Sequence, residues 1–182
     1  MINLFLSMAL VLATPFVPYK VYFPPEGPKS SETLEKEAAK KKYRSLLAKE
    51  LNEKFGFYVE PGGWLISHDE IYLVNFYLQH PKRIETQEEI RELMVRTIAY
   101  IYSFLNDDPE IRPFLLEYPF KVENIHISVS FTHNLQRDLP AWVHANYNCG
   151  KINYTYEYEA IKVPSETFEE AQAKVLEAQC TQ

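Results

Sequence analysis

Glycine is scarce in this chain, five copies in 182 residues. A loop that wraps phosphate oxygens with backbone N–H groups is hard to build from so few. Neither G-x-G-x-x-G nor a P-loop pattern occurs, which excludes the nucleotide chemistries that depend on them. Cysteine is scarcer still. Cys149 and Cys180 are the only two, with no C-x-x-C spacing, so a thioredoxin-type redox motif and a cysteine-rich zinc module are both ruled out. Positive charge is not in excess: 19 Lys and Arg stand against 25 Asp and Glu, a net charge of −6 that argues against a nucleic-acid partner. No histidine, acidic or cysteine residues recur at a spacing diagnostic of a metal site, and neither metal nor cofactor is expected.

Aromatic residues are plentiful. Tyrosine occurs 13 times and phenylalanine 11 times, within a hydrophobic content of 46%. That composition specifies a packed core, and the length suits one domain of roughly 100–200 residues. Residues 1–13 carry no charged side chain and end on small residues at Val11 and Ala13. They read as a secretory signal peptide cleaved after Ala13, which places the protein in the periplasm or the medium. A buried first element of a cytosolic protein is the alternative. The apolar run falls short of the ~20 residues of a membrane span, so no stable span is expected once the leader is removed. Residues 14–31 form a connector rich in proline (Pro15, Pro18, Pro24, Pro25 and Pro28). Residues 32–182 are then a single domain.

Within that domain, helical spacing of Leu34, Ala38 or Ala39, Tyr43, Leu47, Leu51 and Phe55 predicts a helix from about Ser31 to Gly56. Its lysine-rich other face reads as solvated. Thr86 and Glu89 have capping-box spacing, and Ile90, Leu93, Met94, Thr97, Ile98, Ile101, Tyr102 and Leu105 trace one face of a second helix. Ser165 is the expected N-cap of a third, with Phe168, Ala171, Val175 and Ala178 as its buried stripe. The clearest strand ends at Phe131: Ile125, Ile127, Val129 and Phe131 alternate with His126, Ser128 and Ser130. Residues 141–147 and 151–163 read as two more strands around a turn at Cys149-Gly150. The run from Ile71 to Leu78 is apolar on both parities and is read as a strand. The expected fold is α+β: a two-layer sandwich with a mainly antiparallel sheet of about five strands and three helices on one face.

The runs Ile111-Arg112-Pro113-Phe114-Leu115-Leu116-Glu117-Tyr118-Pro119-Phe120 and His126-Ile127-Ser128-Val129-Ser130-Phe131 resemble those of a group of small exported bacterial proteins of unknown function. The resemblance implies export and no particular activity.

Three constellations carry chemistry. If Phe131 pairs near Ala141, then His126, Ser128, His144, Asn146, Asn153 and Thr155 share one polar sheet face, with Glu157 able to add a carboxylate. His126 and His144 would be diagonal neighbours on it. His126-Ile127-Ser128-Val129 also fits the H-x-[ST]-x tetrad of the 2H phosphoesterases, which the second tetrad fails to complete: His144-Ala145-Asn146-Tyr147 has asparagine where a hydroxyl is needed, and His68-Asp69-Glu70 does not fit. Cys149 and Cys180 permit a disulfide in an oxidising compartment, or stand as two free thiols. The row Tyr154, Tyr156, Tyr158 with Trp142 is read as core rather than a ligand wall. The reading that results is an exported binding protein without catalytic activity, whose partner is a protein, a peptide or an envelope component. The alternative is a small hydrolase or phosphoesterase working through His126 and His144.

Overall fold

The computed structural model describes residues 31–60, 64–67, 70–82, 84–131, 142–156 and 163–180. The leader, most of the connector, Glu157 and Tyr158 lie outside the described residues. The chain runs α1 (Ser31–Phe55), β1 (Tyr58–Val59), β2 (Trp64–Ser67), β3 (Glu70–His80), α2 (Gln87–Asp107), β4 (Ile125–Phe131), β5 (Trp142–Asn148), β6 (Lys151–Tyr156), β7 (Glu166–Thr167) and α3 (Phe168–Cys180). The strands form one sheet. β1 and β2 share one edge of β3, and β4, β5, β6 and β7 follow in order on the other side. Among the described strands only the β3–β4 pair is parallel. A parallel pair needs a crossover, and α2 supplies it. The α+β two-layer architecture is the expected one, with β1 and β7 as short additions at the edges.

β4 sits in the middle of this sheet. Its burial alternates strictly, with Ile125, Ile127, Val129 and Phe131 buried. Each faces a core residue of β3 across the parallel ladder: Val74, Phe76, Leu78 and His80. The ambiguity of Ile71–Leu78 has a physical origin. Leu65 pairs with Leu73 and Ile66 with Ile71, so Tyr72 is skipped. That bulge reverses the side-chain parity, so Ile71 and Val74 are both fully buried although they are three residues apart.

α2 lies over this face. Its first turn is closed as the sequence predicts: Thr86 Oγ1 accepts from the Glu89 N–H, and a Glu89 carboxylate oxygen accepts from the Thr86 N–H. Ile90, Met94, Ile98, Ile101 and Leu105 are completely buried, each stabilising the fold by roughly 1.5–3 kcal/mol. Tyr102 departs from the expected stripe and is 38% exposed. At the C-terminal end Asn106 is buried. Its side chain donates to the Phe120 C=O and accepts from the Phe120 N–H, at 3.2 and 2.7 Å. This pins the approach to β4, which contains a cis Tyr118–Pro119 bond, against the helix.

α1 buries its stripe only from Tyr43 onward (Tyr43, Leu47 and Leu51), and Leu34 is exposed. Gly56 ends it at φ +72°, its N–H bonded to the Asn52 C=O. The start of α3 differs from expectation. Thr167, not Ser165, is the cap, exchanging hydrogen bonds with Glu170 in a second capping box. Residues 166 and 167 are held as a strand on β6, which moves the helix start to Phe168. Of the expected α3 stripe, Ala171 is buried, Phe168 and Val175 pack partly against the core, and Ala178 is exposed.

The Cys149–Cys180 disulfide is not formed; both thiols are free and exposed. The Phe168 N–H bonds to the Gly150 C=O, so α3 starts beside the hairpin turn and carries Cys180 away from it. Twelve residues of helix place the two cysteines roughly 18 Å apart, beyond disulfide reach.

Candidate functional site

The face of the sheet opposite the helices is built in rows. Tyr58, Gln79, Ser130, His144 and Thr155 form one, each paired with the next across adjacent strands. Tyr77, Ser128, Asn146 and Asn153 form a second. Asn75 and His126 begin a third. None of these side chains is acidic, lysine or arginine. Most are half-buried by their neighbours, while Tyr77 stands 49% exposed near the centre. Several bond within the face. Asn153 donates to Asn146 at 3.1 Å, Asn75 to the Tyr77 hydroxyl at 3.4 Å, and Gln79 to Glu60 at the edge.

His126, Ser128, His144, Asn146, Asn153 and Thr155 therefore share one face, and Glu157 lies outside the described residues. The expected closeness of the two imidazoles is not realised. Ser130 faces His144 and Ser128 faces Asn146, a register two residues away from a Phe131–Ala141 pairing. His126 lies four residues along β4 from the partner of His144, roughly 13 Å, too far to share a proton or a metal. Among the described residues no group of three His, Cys, Asp or Glu is placed to hold a metal ion.

What the register does bring together is Ser128 and His144, Oγ to Nε2 at 3.2 Å. Burial holds both imidazoles below the ordinary histidine value of 6.5, and for His144 a backbone hydrogen bond at Val129 partly offsets it. His144 is thus neutral near pH 7 and can accept a proton. Acyl transfer also needs a pair of donors for an oxyanion. β4 is flanked by β3 and β5, so its N–H groups are spent in the ladders. The contact reads as a side-chain hydrogen bond that fixes the face.

Asn75, Tyr77 and Gln79 were not singled out by the sequence, although Asn75 to Gln79 alternates polar and apolar with period two. A second group had no sequence signal. Glu166 is buried between α2, β6 and α3, with Arg91 Nε at 2.7 Å, Lys174 Nζ at 2.6 Å and the Tyr154 hydroxyl donating to it. Burial pushes the Glu166 carboxyl up, but the bonds from Lys174, Tyr154 and Arg91 outweigh it and hold its pKa below the usual glutamate value. Trp142 stacks edge-on against Tyr154 and Tyr156; Tyr154 is buried, Trp142 and Tyr156 are half-buried, and Tyr158 lies outside the described residues.

Fold and face together define an α+β two-layer protein that presents a polar sheet surface, uncharged along its central rows and flanked by Glu60 and Lys151. Comparison of the chain with family models, with curated proteins and with solved structures returns no match.

Proposed function

We propose that this is an exported, non-catalytic binding protein whose outer sheet face recognises an uncharged, hydroxyl-rich glycan of the cell envelope. The observation that carries the reading is the set of aligned rows of amide, hydroxyl and imidazole groups across β3, β4, β5 and β6, with Tyr77 exposed among them. Neutral donors and acceptors at strand spacing match sugar hydroxyls, and an exposed phenol ring offers a stacking surface for a sugar's apolar side. Export rests on the composition of residues 1–13. The test is co-sedimentation of the full chain with two uncharged polysaccharides, cellulose and chitin. The protein should pellet with at least one of them, and Tyr77→Ala and Asn146→Ala should each weaken retention about fivefold, equivalent to ~1 kcal/mol. Recovery in the supernatant with both polymers would overturn the reading.

The register separates His126 from His144, so a hydrolase would have to work through Ser128 and His144 instead, and the one observation that favours it is their 3.2 Å contact. It requires that a fluorophosphonate probe label Ser128 and that His144→Ala abolish labelling. The binding reading expects no labelling of the unmodified protein.

A further inference from the structure

On the helical side of the molecule, α2, the approach to β4 and the start of α3 enclose a groove of about 490 Å³. Its floor is apolar, from Ala99, Pro119, Phe120, Val122 and Phe168. Its rim is acidic. Glu117, Glu123 and Glu169 line it against a single cation, Lys121, which is already bound to Glu117 at 2.7 Å. Glu123 and Glu169 are exposed and have no ion pair among the described residues. Both act on Tyr147, whose ring packs against Phe168 beneath the groove. Burial raises the Tyr147 pKa most, and the negative potential of Glu123 and Glu169 raises it further.

The shape favours an elongated occupant. Gln172 lines the groove, and Leu176, one helical turn further along the same flank of α3, is 56% exposed. Phe168 and Leu176, the apolar positions of this flank, lie roughly 12 Å apart with Gln172 between them. The cavity at the other end of the α2–α3 seam offers no comparable field. It is lined by Glu88, Glu89, Arg91, Glu92 and Lys174: Glu88 pairs with Arg91, Glu92 with Arg96, and Glu89 caps its own helix, while Arg91 and Lys174 both bind Glu166.

We infer that the groove docks a cationic amphipathic peptide segment of a partner protein, its apolar side chains on the Phe120–Phe168 floor and its Lys or Arg residues against Glu123 and Glu169. Apolar area supplies the affinity, and the unpaired carboxylates supply orientation and selection against acidic segments. This surface is independent of the polar sheet face, so the two readings stand or fall separately.

The test is fluorescence anisotropy of the full chain with a labelled peptide of leucine and lysine at helical spacing, and with the same peptide carrying glutamate in place of lysine. The lysine peptide should bind saturably, at least about tenfold more tightly than the glutamate peptide. Glu123→Lys with Glu169→Lys should weaken it by a similar factor, and Leu176→Asp should weaken it as well. All three positions are exposed, and an unchanged thermal melt will confirm that the variants fold. Glu35→Lys with Glu53→Lys on α1, an equal change in net charge, should leave affinity unchanged, as should Tyr77→Ala. No saturable binding, equal binding of the two peptides, or equal losses from the groove and α1 reversals would each refute the proposal.

Discussion

Glu166 shows how much of this fold rests on single residues that nothing in their local sequence marks. Its carboxylate is 5% exposed and the Arg91 side chain 11%, so this pair is held out of water, whereas Lys174 is half in solvent. Removing one partner of a buried pair leaves the other charge desolvated. Glu166→Gln should therefore lower the unfolding free energy by about 3 kcal/mol, while Lys174→Met should cost less than about 1 kcal/mol. Urea denaturation of both variants checks this, and equal losses would contradict it. Asn106 behaves similarly. In the sequence it reads as the end of a helix; in the structure it is the partner of both backbone groups of Phe120. Arg91 and Glu166 are 75 residues apart, and no periodicity links them.

Among the elements, the β5–β6 hairpin is the one whose local chemistry is most exposed to test. Both central residues of its turn have positive φ, Cys149 at +49° and Gly150 at +79°, as a type I′ turn demands. A Cβ at Gly150 would meet only the Glu123 Cγ, at 3.8 Å, so the obstacle to substitution is conformational rather than steric. Gly150→Ala should cost about 1 kcal/mol, and Cys149→Asn should stabilise by a few tenths, measured by urea unfolding. Local signals of this kind were legible throughout: the Thr86 capping box, Gly56 as a stop, the alternation in β4. The register of β4 on β5 was not. Sliding a strand by two residues leaves every side chain on the same face, so alternation assigns His126 and His144 to one face without fixing their separation. For the same reason the skipped residue in β3 blurred its reading, since a bulge reverses parity where a pattern assumes continuity.

The whole molecule responds to acid through its histidines before its carboxylates. His80, His126 and His144 all lie below 6.5, chiefly because burial disfavours the imidazolium. The unfolded chain takes up those protons near pH 6.5 and the native state resists them. Their contribution is complete above that pH and is lost as pH falls through the lower native values. Glu89 and Glu166 are held below the ordinary 4.5, so their contribution survives to more acid pH and fades only below it. The urea midpoint should be level between about pH 8 and 7, then decline between 6.5 and 4.5 before the carboxylates titrate. His126→Gln with His144→Gln should flatten that first decline. A midpoint constant down to pH 4.5 would show that burial of these rings carries no such cost.

By itself the sequence determined the class of fold, the faces of β4, β5 and β6, and most helix boundaries. Those depend on periodicity and capping, which act over a few residues. Only the tertiary structure decided which polar groups meet. Strand register, the parallel docking of β3 on β4 and the convergence of α2, β6, β7 and α3 on Glu166 are set by core packing between distant segments. β4 is central in both accounts. Its outward residues were a candidate face from the sequence alone; the structure added Asn75, Tyr77 and Gln79 to that face and set Ser128, not His126, beside His144.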